Sequence, residues 1–133
     1  MMTMLTNRTQ TLDQRPLRAR GLGWLIHLFR DEVKRYIEQL TAETRPALVI
    51  VCMVYYPDEN RTPSWAGAPL KIIYDGNPAK LQAAIRGVCK HATSEIQLSG
   101  TRVEPVAFFD LLDCEDSRDY VARVEPSNIG GQK

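Results

Sequence analysis

The sequence is poor in reactive side chains. It holds two histidines, His27 and His91, and three cysteines, Cys52, Cys89 and Cys114. An odd number of cysteines without short spacing argues against a disulfide framework and against a zinc ribbon. Cys52 and Cys89 sit in apolar stretches and read as small buried hydrophobes. Free thiols suit a reducing compartment, so a cytoplasmic protein is expected. There is no Gly-x-Ser-x-Gly, no phosphate loop and no dinucleotide fingerprint. His91 follows Cys89 by two residues, which on a helix sets them about 200° apart and spoils them as a nucleophile–base pair. The acidic neighbours of Cys114 disfavour its thiolate. The expectation is a chain without catalytic residues, cofactor or metal.

Charge of one sign is also lacking. The net charge is +1 over 133 residues, so no global field pulls the chain toward nucleic acid or an anionic membrane. Long apolar runs are missing too. The longest, Ala47–Tyr56, has ten residues, about half of what a membrane span needs. Met1 to Gln14 has no apolar core of the kind a signal peptide carries.

What the chain does have is periodicity. Leu22, Leu25, Ile26, Phe29, Val33, Tyr36, Ile37 and Leu40 recur at spacings of three and four, which predicts one amphipathic helix over Leu22–Thr44. Pro46 stops it. "ALVIVCMVYY" predicts a strand covered on both faces and central in its sheet. Leu70–Tyr74, "LKIIY", reads as a second strand. Asp75-Gly-Asn-Pro is a turn leading into a helix from Pro78 to about Ser94. Arg102–Phe109 reads as a third strand, and Pro105 marks it as an edge or bulge. Tyr120–Val124 is a fourth short strand or a docked tail.

The order is helix, strand, strand, helix, strand, with the optional fourth strand. This predicts an α+β two-layer sandwich, two helices packed on one face of a mixed three- to four-stranded sheet. The second and third strands are expected to be parallel, with the first between them. Residues 1–20 form a basic arm, 21–126 one domain and 127–133 a disordered tail. Two helices on one face leave the other face of "ALVIVCMVYY" bare. The long loop with Trp65, the C-terminal segment or a second copy is expected to cover it, and Trp65 is read first as that plug.

Four groups of residues invite a function. Asp58, Asp75 and Asp110 each end an apolar run. If the second and third strands are parallel, Asp75 and Asp110 share a sheet edge with Asp113, which raises a metal-dependent nuclease as one alternative. Residues 1–30 hold Arg8, Arg15, Arg18, Arg20 and Arg30 against Asp13 alone. The first four could hold phosphates, and nucleic-acid binding is the other alternative. Glu104 to Glu125 is acidic, and its Asp110, Asp113, Glu115, Asp116 and Asp119 could meet a basic partner. Trp24, His27 and Leu28 lie off the main apolar face of the first helix and form a contact patch, together with Trp65 in its Pro/Gly-rich loop. The leading expectation is a small, non-enzymatic accessory or inhibitory protein. It binds another protein through a charge-polarised surface and forms a homodimer, with no membrane role.

Overall fold

The computed structural model describes residues 19–133, and side chains from residue 21 onward. The fold is mixed α+β. A helical run opens it: α1 (Ala19–His27), a π-helical turn (Leu28–Glu32) and α2 (Val33–Leu40). Strand β1 (Leu48–Cys52) follows, then α3 (Gly67–Ile73), α4 (Pro78–His91) and β2 (Arg102–Val106). A two-residue ladder, β3 (Tyr120–Val121) with β4 (Glu125–Pro126), closes the chain. No helix among the described residues is long and apolar enough to cross a membrane.

The expected sandwich needs correction in three places. Leu70–Tyr74 is not a strand. Ala66, Leu70 and Tyr74 recur every four residues, and all three are buried on one side of α3. Leu81 and Val124 pack against them. Pro69 lies in the first turn of α3, where its missing N–H would find no helical partner anyway. The sheets therefore hold two strands each among the described residues, not three or four in one. Finally, the first apolar strand pairs in parallel with the segment after α4, Leu48 opposite Arg102 and Cys52 opposite Val106. Two intervening helices give the crossover that parallel pairing requires.

The main core forms where the parallel strands end. Met53, Tyr56, Val88, Ala92 and Phe109 are buried together, and Leu25, Ile26, Phe29, Ile85 and Cys89 pack around them. Tyr55 stacks on Phe108 at 5.2 Å and Tyr56 on Phe109 at 5.1 Å between ring centres. Beyond the strands the two chains thus meet as two aromatic rungs, one residue out of the strand register, a geometry that adds to simple burial. Arg86 caps this stack with its Nη1 donating to the Tyr56 hydroxyl at 2.8 Å.

The first helix shows what the π turn does. Leu25, Ile26 and Phe29 face the core as expected, and so does Ile37. Tyr36 and Leu40 are exposed instead of buried. A π turn holds more residues than an α turn, so it rotates every later position relative to an ideal wheel. After it, Val33, Ile37 and Thr41 take the inward side, at steps of four.

Residues 127–133, expected to be disordered, fold back instead. A 3-10 turn spans Gly130–Gln132. The Lys133 ammonium pairs with the buried Asp119 carboxylate. Gly130 makes this possible, because a Cβ there would lie 2.2 Å from the Asp119 carbonyl oxygen. Gly130→Ala is therefore expected to detach the last residues from Asp119. Hydrogen exchange at Gly131 and Lys133 should rise at least about tenfold. Unchanged protection would show that the close approach is not needed.

Candidate functional site

Two segments far apart in sequence converge on one buried guanidinium from a third. Arg123 sits at a sharp turn between β3 and β4. Ala122 and Arg123 have φ of 50° and 70°, and the Val124 N–H donates to the Val121 carbonyl at 3.3 Å. Two consecutive left-handed residues suit the twist of a hairpin, but glycine or asparagine is the usual choice. Here the side chain compensates. Arg123 is 2% exposed. Its Nη2 donates to Asp75 Oδ1 at 2.6 Å and to the Asp58 carbonyl at 2.9 Å. Its own carbonyl accepts from the Asp58 N–H at 2.8 Å.

Asp75 therefore does not stand free at a sheet edge. The Arg123 guanidinium holds its carboxyl below the usual carboxylate range. Asp58 is 1% exposed, and its Oδ1 accepts from the Asn60 N–H and side-chain amide at 2.8 and 3.0 Å. Asp110 is exposed on a short 3-10 turn. With Leu70–Tyr74 helical, the parallel pair that was to bring Asp75 and Asp110 together does not exist. No cluster of three His, Cys, Asp or Glu side chains suited to a metal occurs among the described residues.

Beside Arg123 lies a polar chain that sequence reading did not foresee. The Tyr74 hydroxyl donates to the Pro57 carbonyl at 2.7 Å and accepts from Gln82 Nε2 at 3.0 Å. Gln82 also donates to Glu59 Oε1 at 2.8 Å, and the Cys114 thiol reaches the same oxygen at 3.5 Å. Burial, with Glu59 beside it, pushes the Cys114 thiol up to about 11. Burial pushes the Tyr74 phenol up to about 12. Tyr120, whose hydroxyl is buried without a hydrogen-bond partner among the described residues, is raised as well. These groups stay neutral near pH 7. Tyr74 and Cys114 serve as hydrogen-bond donors, and Cys114 is not an activated nucleophile. Gln82 and Glu59 carried no sequence signal, because their pairing spans 23 residues through a loop.

The acidic run is mostly used within its own loop. The Asp113 N–H donates to Asp119 Oδ2 at 2.8 Å. Lys133 and that N–H together keep the Asp119 carboxyl below its usual value. Asp113 Oδ1 accepts from the Glu115 N–H at 3.0 Å. Asp116 accepts from the Arg118 guanidinium and N–H, which lowers its carboxyl to about 2. Of the five candidate carboxylates, Asp110 and Glu115 are exposed and have no side-chain partner among the described residues.

The apolar candidates divide differently. Trp24 is 61% exposed, and His27 beside it is tied to Asp31 at 3.0 Å. Leu28 is half-buried at the start of the π turn. Trp65 is 71% exposed, which corrects its reading as a plug. Ala66, next to it, takes the buried position. Arg8, Arg15 and Arg18 lie outside the described residues, as does the side chain of Arg20.

A cleft of about 550 Å³ opens between α1, α3 and the start of α4. Leu25, Ile72, Ile73, Tyr74, Leu81 and Ala84 give it an apolar floor, and Lys80 stands at its rim. Ile72 is 85% exposed and Ile73 56%. Sequence reading missed this cleft because it placed Ile72 and Ile73 on a strand.

The chain matches no protein-family model, no curated protein and no solved structure.

Three outcomes are expected here. Replacing Arg123 by Met should lower unfolding free energy by about 3 kcal/mol, because the Asp75 carboxylate and the Asp58 carbonyl lose their donors inside the protein. Urea titration measures this, and a loss under about 1 kcal/mol would show the pair to be dispensable. The raised thiol and phenol stabilise the fold fully below about pH 9, and that contribution fades as pH climbs through about 11 and 12. At about pH 8, alkylation should label exposed Cys52 well before Cys114. Peptide mass mapping reads the order, and equal rates would contradict the placement of Cys114.

Proposed function

We propose that this chain is a small accessory protein that binds another protein, with the cleft between α1, α3 and α4 as its contact surface. The observation that carries this reading is the exposed apolar pair at the cleft, Ile72 at 85% and Ile73 at 56%, with Leu25 and Leu81 lining it beside them. Scattered single apolar side chains on a surface are ordinary, but a group around a concavity marks a recognition site. The volume suits a few anchoring side chains of a partner. Tryptophan and large aliphatic residues are the groups that anchor such contacts.

The chemistry of the partner follows from the rim. Lys80 borders the cleft, and Lys71 is exposed on α3. The one carboxylate at the end of α3, Asp75, is neutralised by Arg123. The fitting partner presents an apolar segment flanked by acidic residues. Such a segment lays two or three side chains along Ile72, Ile73 and Leu81. Charge at the rim then adds to encounter rate and orientation more than to affinity. The acidic loop contributes at most Asp110 and Glu115, because Asp113, Asp116 and Asp119 already serve their own backbone.

The test is photo-crosslinking from a probe placed at position 72 in the full chain, in extract of the native host. One protein should be captured. Ile73→Glu should weaken its binding at least about tenfold, about 1.4 kcal/mol. Lys80→Glu should slow association and reduce its salt dependence. Capture that is indifferent to both changes would remove the cleft as the contact surface.

A further inference from the structure

The two-stranded parallel sheet has two outer edges, and they differ chemically. The Arg102 N–H donates to the Ala47 carbonyl, and the Met53 N–H donates to the Val106 carbonyl at 2.8 Å. With Leu48 opposite Arg102, this fixes the parity of every backbone group. On β1 the odd residues, Val49 and Val51, point toward β2. The N–H and C=O groups of Leu48, Ile50 and Cys52 point outward. On β2 the reverse holds, and Val103 and Pro105 point outward. Pro105 has no N–H to give, so the β2 edge cannot extend the sheet at its centre. Charged Arg102 and Glu104 flank it. The β1 edge has no such guard. Among the described residues β1 has one strand neighbour, β2.

The side chains repeat the asymmetry. Leu48 is 39% exposed, Ile50 56% and Val54 52%, all on the face turned away from the core residue Met53. No charged residue occurs from Ala47 to Tyr56. Parallel strands of this composition are normally covered on both faces, and edges are normally guarded by charge or proline.

We propose that the β1 edge is the homodimer interface. Two copies pair their β1 strands antiparallel about a two-fold axis at Ile50 and form one four-stranded sheet, in the order β2-β1-β1-β2. Only this centre uses all six outward groups on each strand. Leu48 then stands opposite Cys52 of the partner subunit, and Ile50 opposite its own symmetry mate. The match is one of charge as well as backbone. A strand laid on its own copy brings like residues together, and like charges placed opposite one another are destabilising. An uncharged ten-residue run is the sequence that meets itself without that cost. The pairing also joins the exposed Leu48, Ile50 and Val54 of both copies into one apolar strip. This surface is separate from the cleft of the proposed function, so either can fail without the other.

The test is the mass of the full chain by light scattering, with the register read by disulfide trapping. Wild-type protein should have twice the mass of one chain. Ile50→Lys puts two ammonium groups face to face at the axis and should halve that mass, with the circular dichroism of the folded chain retained. Because a lysine there could disturb β1 itself, trapping gives an independent reading. Under mild oxidation, Leu48→Cys should link to native Cys52 of the partner subunit. Ile50→Cys in a Cys52→Ser background should link to itself, since directly opposed strand residues lie within disulfide reach. Leu48→Cys in the Cys52→Ser background should not link. A wild-type mass of one chain would give the edge to a different strand and overturn the proposal. So would a dimer that Ile50→Lys leaves intact and that neither cysteine pair traps.

Discussion

The Arg123 guanidinium is the constraint around which the second half of the fold is arranged. It binds the loop after β1 through Asp58 and the end of α3 through Asp75, from a turn that its own backbone would not choose. Left-handed non-glycine residues cost of order a kcal/mol each, and two in succession persist only when the surroundings enforce them. The guanidinium does so by satisfying both partners at once. It also explains the long connection from Pro57 to Ala66. This segment is not a free flap. Its Asp58 N–H goes to the Arg123 carbonyl, and its Glu59 N–H goes to the Cys114 carbonyl at 2.8 Å. The connection is held against the C-terminal half by backbone bonds that no local pattern encodes.

The same network settles how the acidic stretch is used. A buried carboxylate is tolerated only when its oxygens are matched by donors. Asp119 has the Asp113 N–H and Lys133, and Asp75 has Arg123. Those demands organise Leu111 to Lys133 into a compact set of turns without strands of useful length. Within the acidic stretch, Asp113, Asp116 and Asp119 accept hydrogen bonds from its own backbone. Two groups of exposed apolar side chains stand out beside it, Ile72 and Ile73 at the α1–α3–α4 cleft and Leu48 and Ile50 along β1.

Much of the periodic part was legible. The helix over Leu25, Ile26 and Phe29, the Asn77-Pro78 start of α4 and the first apolar strand all follow from spacing and punctuation. The bare face of that strand was also readable, because both helices were expected on one side of the sheet. The errors have identifiable causes. "LKIIY" is too short for its period to speak, and the helical stripe Ala66, Leu70 and Tyr74 begins before the apolar run does. The π turn moved Tyr36 and Leu40 outward, and nothing local announces such a turn. Arg123 read as an ordinary charge in an alternating strand, whereas its burial depends on Asp75 and Asp58, 48 and 65 residues away.

The parity of one hydrogen bond carries the step from fold to assembly. Because the Arg102 N–H reaches Ala47, the odd residues of β1 are committed inward and the even ones outward. Shift that register by one and Pro105 would face β1, where its missing N–H would break the ladder. The proline therefore fixes which edge closes and which stays available, and it does so from the strand that is not itself the interface. An uncharged, β-branched strand with an open edge is a hazard unless something regular occupies it. The antiparallel two-fold pairing removes the hazard with the least additional information. It asks only that the strand tolerate its own reflection, and a neutral strand centred on Ile50 does.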